Sequence, residues 1–210
     1  MNMRTVLGLG VAGWLCAGVV AQAQLTGLPI GTDAAPGHFE EMSAGGHIVI
    51  GENFNLFGGR FSYRLYDQIK LFGDVGLADP DRGDMGYGLQ AGALYSLPPI
   101  PEIPFDVALR GTLGYASLDQ RFGGRKFSIS ITGINVGGLG SYRIDDMFAV
   151  YGYLGLAINR FSGSGGVSST ETDPAIGVGG QVDLTPQIAL FGEIMHIDDA
   201  WFGLGGRFNF

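Results

Sequence analysis

Residues 201–210 read WFGLGGRFNF. Taken in alternate steps, Phe202, Leu204, Gly206, Phe208 and Phe210 fall on one side. Trp201, Gly203, Gly205, Arg207 and Asn209 fall on the other. A period of two is the mark of a strand, here with one apolar face and one small or polar face. The run goes up to a final aromatic residue. That pattern predicts a last strand that zips onto the first and leaves no free sheet edge.

The same alternation recurs upstream. Phe57, Gly59, Phe61, Tyr63 and Leu65 oppose Gly58, Arg60, Ser62 and Arg64. Ile69, Leu71, Gly73, Val75 and Leu77 oppose Lys70, Phe72, Asp74, Gly76 and Ala78. Further segments start near Met85, Phe105, Phe127, Phe148, Ile176 and Ile188, and a short one spans Ile48 to Ile50. These predict ten strands, or eight if the segments before Ile69 stay out of the wall. Phe127 to Arg143 changes parity between Ile131 and Ile134, which predicts a bulge near Gly133. Loops are expected at Asp79–Asp84, Asp119–Lys126 and Arg160–Glu171, and tight turns at Tyr66–Gln68, Arg143–Met147 and Leu184–Gln187. Pro98 to Pro104 lies between strands, because proline cannot donate to a ladder.

The alternation alone does not say which face is buried; the glycine content, the N-terminal segment and the terminal strand together point to the apolar face outward. Of 210 residues 38 are Gly, only 15% are charged, and 46% are hydrophobic. Glycine at that density weakens the strands of a soluble sheet. It suits a narrow barrel whose inward positions must be small while lipid surrounds the outside. Aromatic residues recur near strand ends (Phe61, Tyr63, Tyr87, Tyr95, Phe105, Tyr115, Tyr142, Phe148, Phe202, Phe208), as membrane interfaces favour. Met1 to Ala23 has a basic start at Arg4, an apolar core and a small-x-small end, Ala21-Gln22-Ala23. It reads as a secretory signal, and the single cysteine, Cys16, falls within it. The expected division is therefore a signal peptide over 1–23, a periplasmic lead-in over 24–44 and a transmembrane barrel over 45–210. The lead-in is read as a disordered terminus, with a short plug as its alternative.

With these residues in place, the chain resembles the small outer-membrane β-barrel families, the OmpA/OmpX-like and opacity-type proteins. The resemblance implies a single all-β, antiparallel up-and-down transmembrane barrel in a bacterial outer membrane. It implies contact with outer-membrane lipids and lipopolysaccharide. The terminal strand, with Phe208 and Phe210, looks like the signal read by the barrel-assembly machinery.

Function is less legible. The facing predicts a polar lumen network of Arg60, Arg64, Lys70, Asp74, Arg110, Gln181, Asp183, Glu193 and Arg207. Small barrels fill their interior with side chains, and charges there are costly unless paired. The expected role is structural, adhesive or surface-interactive through outer loops toward an extracellular ligand. The alternative is a narrow channel for ions or small solutes, with the arginines favouring anions. A lipid A-modifying hydrolase is the distant third. Its candidate cluster is Glu193, His196, Asp198 and Asp199, but His196 is followed by Ile197-Asp198-Asp199 and no serine is well placed. No enzyme activity, cofactor or metal is expected; His38 and His47 stand too isolated to ligate one. Arg82-Gly83-Asp84 matches an adhesion tripeptide, but three-residue matches arise by chance. Asp79, Asp81 and Asp84 could instead clip a Ca²⁺, but their order does not match a full calcium loop and solvated turn acids are commoner. A net charge of −8 without a basic face argues against nucleic acid.

Overall fold

The computed structural model describes residues 28–35, 41–52, 54–80, 84–122, 125–163, 168–197 and 199–210. The signal-peptide expectation over 1–23, and residues 24–27, His38, Asp81, Arg82, Gly83 and Asp198, lie outside the described residues. Ten strands follow in chain order: β1 (Met42–Ile50), β2 (Phe54–Tyr66), β3 (Ile69–Pro80), β4 (Asp84–Ser96), β5 (Asp106–Phe122), β6 (Arg125–Arg143), β7 (Phe148–Gly163), β8 (Ser168–Asp183), β9 (Ile188–Ile197) and β10 (Asp199–Asn209). Each pairs antiparallel with the next, and β10 closes on β1. The seam runs from Ser43 opposite Asn209 to Ile50 opposite Phe202. The backbones of Met42 and Phe210 exchange hydrogen bonds of 3.2 and 3.0 Å beyond it. The count is ten, because β1 and β2 are full members of the wall.

The faces fall as the alternation predicts. Leu109 is 54% exposed and Val178 62%, while Arg110 between the outward residues of β5 is 4% exposed. A belt of outward glycine crosses the wall, including Gly46 opposite Gly59, Gly140 opposite Gly152 and Gly180 opposite Gly192. A Cβ on Gly138 or Gly140 would meet no atom within 4 Å.

Met42 and Phe210 define one rim, called here the terminal rim. The β6–β7 and β8–β9 turns at that rim are built alike. Asp145 Oδ1 accepts from the N–H groups of Met147 and Phe148, both at 2.8 Å. Thr185 Oγ1 accepts from those of Gln187 and Ile188 at 3.2 and 3.0 Å. A side-chain oxygen at the second turn position thus satisfies two backbone donors that the ladder cannot reach.

The far rim differs from the sequence reading. The segments expected as loops are largely strand: β3 runs to Pro80, β5 to Phe122, β7 to Gly163, and β8 starts at Ser168. Beyond the lipid both faces of a strand can meet water, so the hydrophobic alternation fades while the ladder continues. No bulge forms at Gly133, which pairs in unbroken register with Gly114 and Asn159. The parity change has another cause. Ile131 is fully buried inside the barrel, with Ile129 partly buried beside it, while Ile134 and Val136 face outward. The lumen is apolar near the far rim, so hydrophobic residues switch sides without any kink. Register shifts do occur between Arg64 and Tyr66 and between Asp84 and Tyr87.

The N-terminal boundary also moves. The wall starts at Met42, not at 45. Residues 28–35, placed by the sequence reading in a periplasmic lead-in, are buried throughout. Their hydrogen bonds to strand residues put them inside the barrel, the plug that was the lesser alternative.

Candidate functional site: an occluded lumen

The inward glycines make room for large side chains. A Cβ on Gly137 would lie 2.6 Å from the Tyr153 ring, one on Gly179 2.5 Å from Tyr151, and one on Gly92 2.5 Å from Phe72. Removing those Cβ atoms lets aromatic residues lie flat across the bore. Toward the far rim, Leu56, Leu118, Ile131, Phe161, Met195 and Trp201 belong to one buried apolar cluster, and Leu28 and Ile30 of the plug join it.

The other half of the lumen is polar and organised around the plug. Glu193 sits on β9 and is buried. Its carboxylate accepts from the N–H of Ile30 at 2.9 Å, of Gly31 at 3.1 Å, and from the Tyr151 hydroxyl at 2.8 Å. Arg60 on β2 works on the carbonyls. It donates to the backbone oxygens of Pro29 and Ile30 and pairs with Asp74 at 2.7 Å. Asp74 also accepts from Gln90 at 3.0 Å. Backbone N–H and C=O groups removed from water need partners, and here the wall supplies them. Gly31 turns with φ of +57°, and a Cβ there would meet the Phe191 ring at 3.0 Å, so this position calls for glycine twice over.

Toward the terminal rim the plug is latched by charge. Arg143 bridges Asp33 at 2.7 Å and Asp183 at 2.9 Å, and Gln181 donates to Asp183 at 2.6 Å. The Ala34 N–H donates to Ser141 Oγ at 2.9 Å, and Ser96 Oγ donates to the Ala34 carbonyl at 2.7 Å. Lys70 reaches Thr32 Oγ1 at 3.5 Å, and Arg207 donates to the Gly31 carbonyl at 3.2 Å.

Of the nine residues expected in a lumen network, Arg60, Lys70, Asp74, Glu193 and Arg207 surround the plug, and Gln181 and Asp183 join it through Arg143. Arg110 is buried but stands apart, its guanidinium over the rings of Phe72 at 5.1 Å and Tyr153 at 5.9 Å. Arg64 lies opposite Lys70 near the terminal rim, partly buried. Phe208 and Phe210 stack on the outside with centroids 6.2 Å apart. Sequence reasoning missed Arg143, assigned to a turn, and had the plug only as the alternative to a disordered terminus. It also missed Tyr151 and Tyr153 as polar partners, although two tyrosines in an inward phase each bring a hydroxyl that needs one. Tyr153 gives its own to Asn135.

Glu193 and His196 of the hydrolase cluster do not come together, and the side chains of Asp198 and Asp199 lie outside the described residues. Glu193 faces inward and His196 is exposed on the opposite face of β9, as an odd separation along a strand requires. Asp79 is exposed at the end of β3, and Asp84 opens β4.

Residues 11–206 match the family described as the outer membrane protein beta-barrel domain. The chain belongs to that family. It is a protein of the bacterial outer membrane. Among solved structures it is similar to the N-terminal β-barrel domain of Pseudomonas aeruginosa OprF, at 16% identity over 80% of this chain and 96% of that one, TM-score 0.43. It is also similar to the NanC porin, at 12% identity over 80% and 100%, TM-score 0.48. A third is Ail of Yersinia pestis, at 13% identity over 82% and 100%, TM-score 0.40. No curated protein sequence matches it. For an outer-membrane barrel the exposed Leu109, Val178 and Leu204 are lipid-facing. The hydrogen-bonded lumen lets Arg60, Asp74 and Glu193 remain in the span.

Proposed function

We propose that this barrel is a closed outer-membrane scaffold that presents its far rim to the cell exterior. The carrying observation is the double occlusion of the lumen. Leu28–Ala35 is tied to the wall at nearly every residue, and an apolar side-chain cluster fills the bore beyond it. An ion would have to displace both. The far rim supports a surface role. A membrane strand needs about 9–11 residues, whereas β5 has 17, β6 has 19, and β7 and β8 have 16 each. Their outer ends form a four-stranded wall that reaches past the lipid and offers polar residues such as Ser128, Ser168 and Thr170. A ligand of the extracellular face would meet that wall. Outer-membrane lipid and lipopolysaccharide would cover the apolar belt, and the assembly machinery would read β10 with Phe208 and Phe210. No step of catalysis is assigned.

Planar-bilayer recording of the refolded full chain tests this reading, and a silent bilayer is the expected result. Reproducible unitary currents would favour the second reading, a narrow channel whose Arg60, Arg110 and Arg207 would select anions.

A further inference from the structure

The plug has a direction. At its downstream end Ala34 bonds to Ser141 and Ser96, and Asp33 to Arg143, all on the terminal-rim side. Glu41, where the chain rejoins the wall, accepts from the Arg64 N–H at 2.9 Å at that same rim. The upstream end points the other way. Leu28 is 2% exposed and belongs to the apolar cluster with Trp201, Met195, Phe161 and Ile131. Pro29 lies beside Gly203, where a Cβ would meet its ring at 3.4 Å. The plug therefore enters by the terminal rim with its N-terminal end leading toward the far rim. Whatever precedes Leu28 has to be threaded into the bore with it.

Neither exit is open to a long leader. Toward the far rim the apolar cluster fills the bore, with Leu118 and Ile131 buried in it. Toward the terminal rim, Gly203 stands six residues before Asn209 on β10. That is about 20 Å of strand, or roughly 15 Å of depth at the usual tilt. Four residues at full stretch reach at most about 14 Å, so the span 24–27 is too short to carry a leader back out. That mouth also holds the plug itself, bonded there to Arg143, Arg207 and Lys70. The wall carries no such requirement, because β1 starts at Met42, after the plug, and pairs on both sides.

We infer that removal of the leader licenses the plug: Leu28–Ala35 seats only in a chain cut a few residues before Leu28. The leader expected over 1–23 ends at a fitting place. A signal peptidase would hydrolyse the Ala23–Gln24 amide, adding one water and leaving a carboxylate on the leader and an α-amino group on Gln24. An uncut or extended chain closes the same ten-stranded wall with the plug left out. Glu193 and Arg60 then lose the backbone groups of Pro29, Ile30 and Gly31. The inference concerns the seating of the plug and holds whether or not the barrel conducts.

The test refolds in detergent the chain from Gln24 onward with a small folded domain joined directly ahead of it. The junction is a bond that a site-specific protease cuts to leave Gln24 first. Heat-modifiable migration reports the wall, and amide exchange at Ile30 and Gly31 reports the plug. The fused chain should be heat-modifiable with fast exchange at both amides, and cutting it should slow them about a hundredfold or more. Equal protection before and after the cut overturns the inference. Flexible Gly-Ser leaders of about 5, 15 and 30 residues ahead of Gln24 decide the matter if the fusion fails to fold. Exchange at Ile30 and Gly31 should quicken as the leader lengthens, and slow exchange at every length overturns the inference as well.

Discussion

Glu193 shows how far one residue can be understood from its place in a strand. Parity along Ile188 to Ile194 puts it inside the barrel, and it is there. Its partners could not be read the same way, because Ile30 and Gly31 lie more than 160 positions away in the chain. The same holds for Arg143 and Asp33, which meet only because the plug folds back through the terminal rim. Replacing Glu193 with Leu strands two backbone donors and a hydroxyl. About 1–3 kcal/mol is expected for each buried group left unsatisfied. Glu193→Leu should therefore unfold several degrees below wild type, with fast amide exchange at Ile30 and Gly31, and Glu193→Gln should fall between them. Glycine gives a paired prediction. A Cβ on Gly137 would sit 2.5 Å from the Leu154 carbonyl and 2.6 Å from the Tyr153 ring, whereas one on Gly140 meets open space. Gly137→Val should abolish heat-modifiable migration on gels. Gly140→Val should leave it intact.

Among the elements, β6 is the instructive one. Its length and pairing follow from an extended, glycine-spaced sequence, but its hydrophobic residues change sides at Gly133 without a bulge. The rule that apolar residues face lipid fails there because the far half of the lumen is itself a hydrophobic core. A period-two reading cannot tell an inner apolar face from an outer one. Where the lumen is ionic, as along β3 and β5, the assignment is unambiguous. β10 belongs to the second kind, with Leu204 outward and 49% exposed. Leu204→Arg, placed in lipid, should cost about 2–4 kcal/mol if it lies at the bilayer midplane. Urea unfolding from phospholipid vesicles measures it. The same substitution at Ser168, on the outer end of β8, should change stability little, because that side chain meets water.

On the scale of the whole molecule, closure makes the strands interdependent. Neither β1 nor β10 has a second partner until the seam forms, so partial barrels carry two open edges. Ring closure, ten as the favoured strand count and the facing of the strands other than the first part of β6 were legible in the sequence. The plug was legible only as an alternative, since Leu28–Ala35 has no period and its burial depends on a cavity that exists only once the wall is complete. Cutting the latch should show how the two cooperate. Arg143→Ala leaves Asp33 and Asp183 without their shared cation. It is expected to increase protease access to the plug from the terminal rim while the barrel stays heat-modifiable, as limited proteolysis would report.

The two-zone interior also bears on how many copies a cell can tolerate. A hydrated solute entering past Arg143 would have to shed its water to cross the layer of Leu56, Leu118 and Ile131. On the closed-barrel reading, high expression adds surface without adding leak. A strain that overproduces this protein should then take up small hydrophilic antibiotics no faster than its parent, and its drug susceptibility should be unchanged.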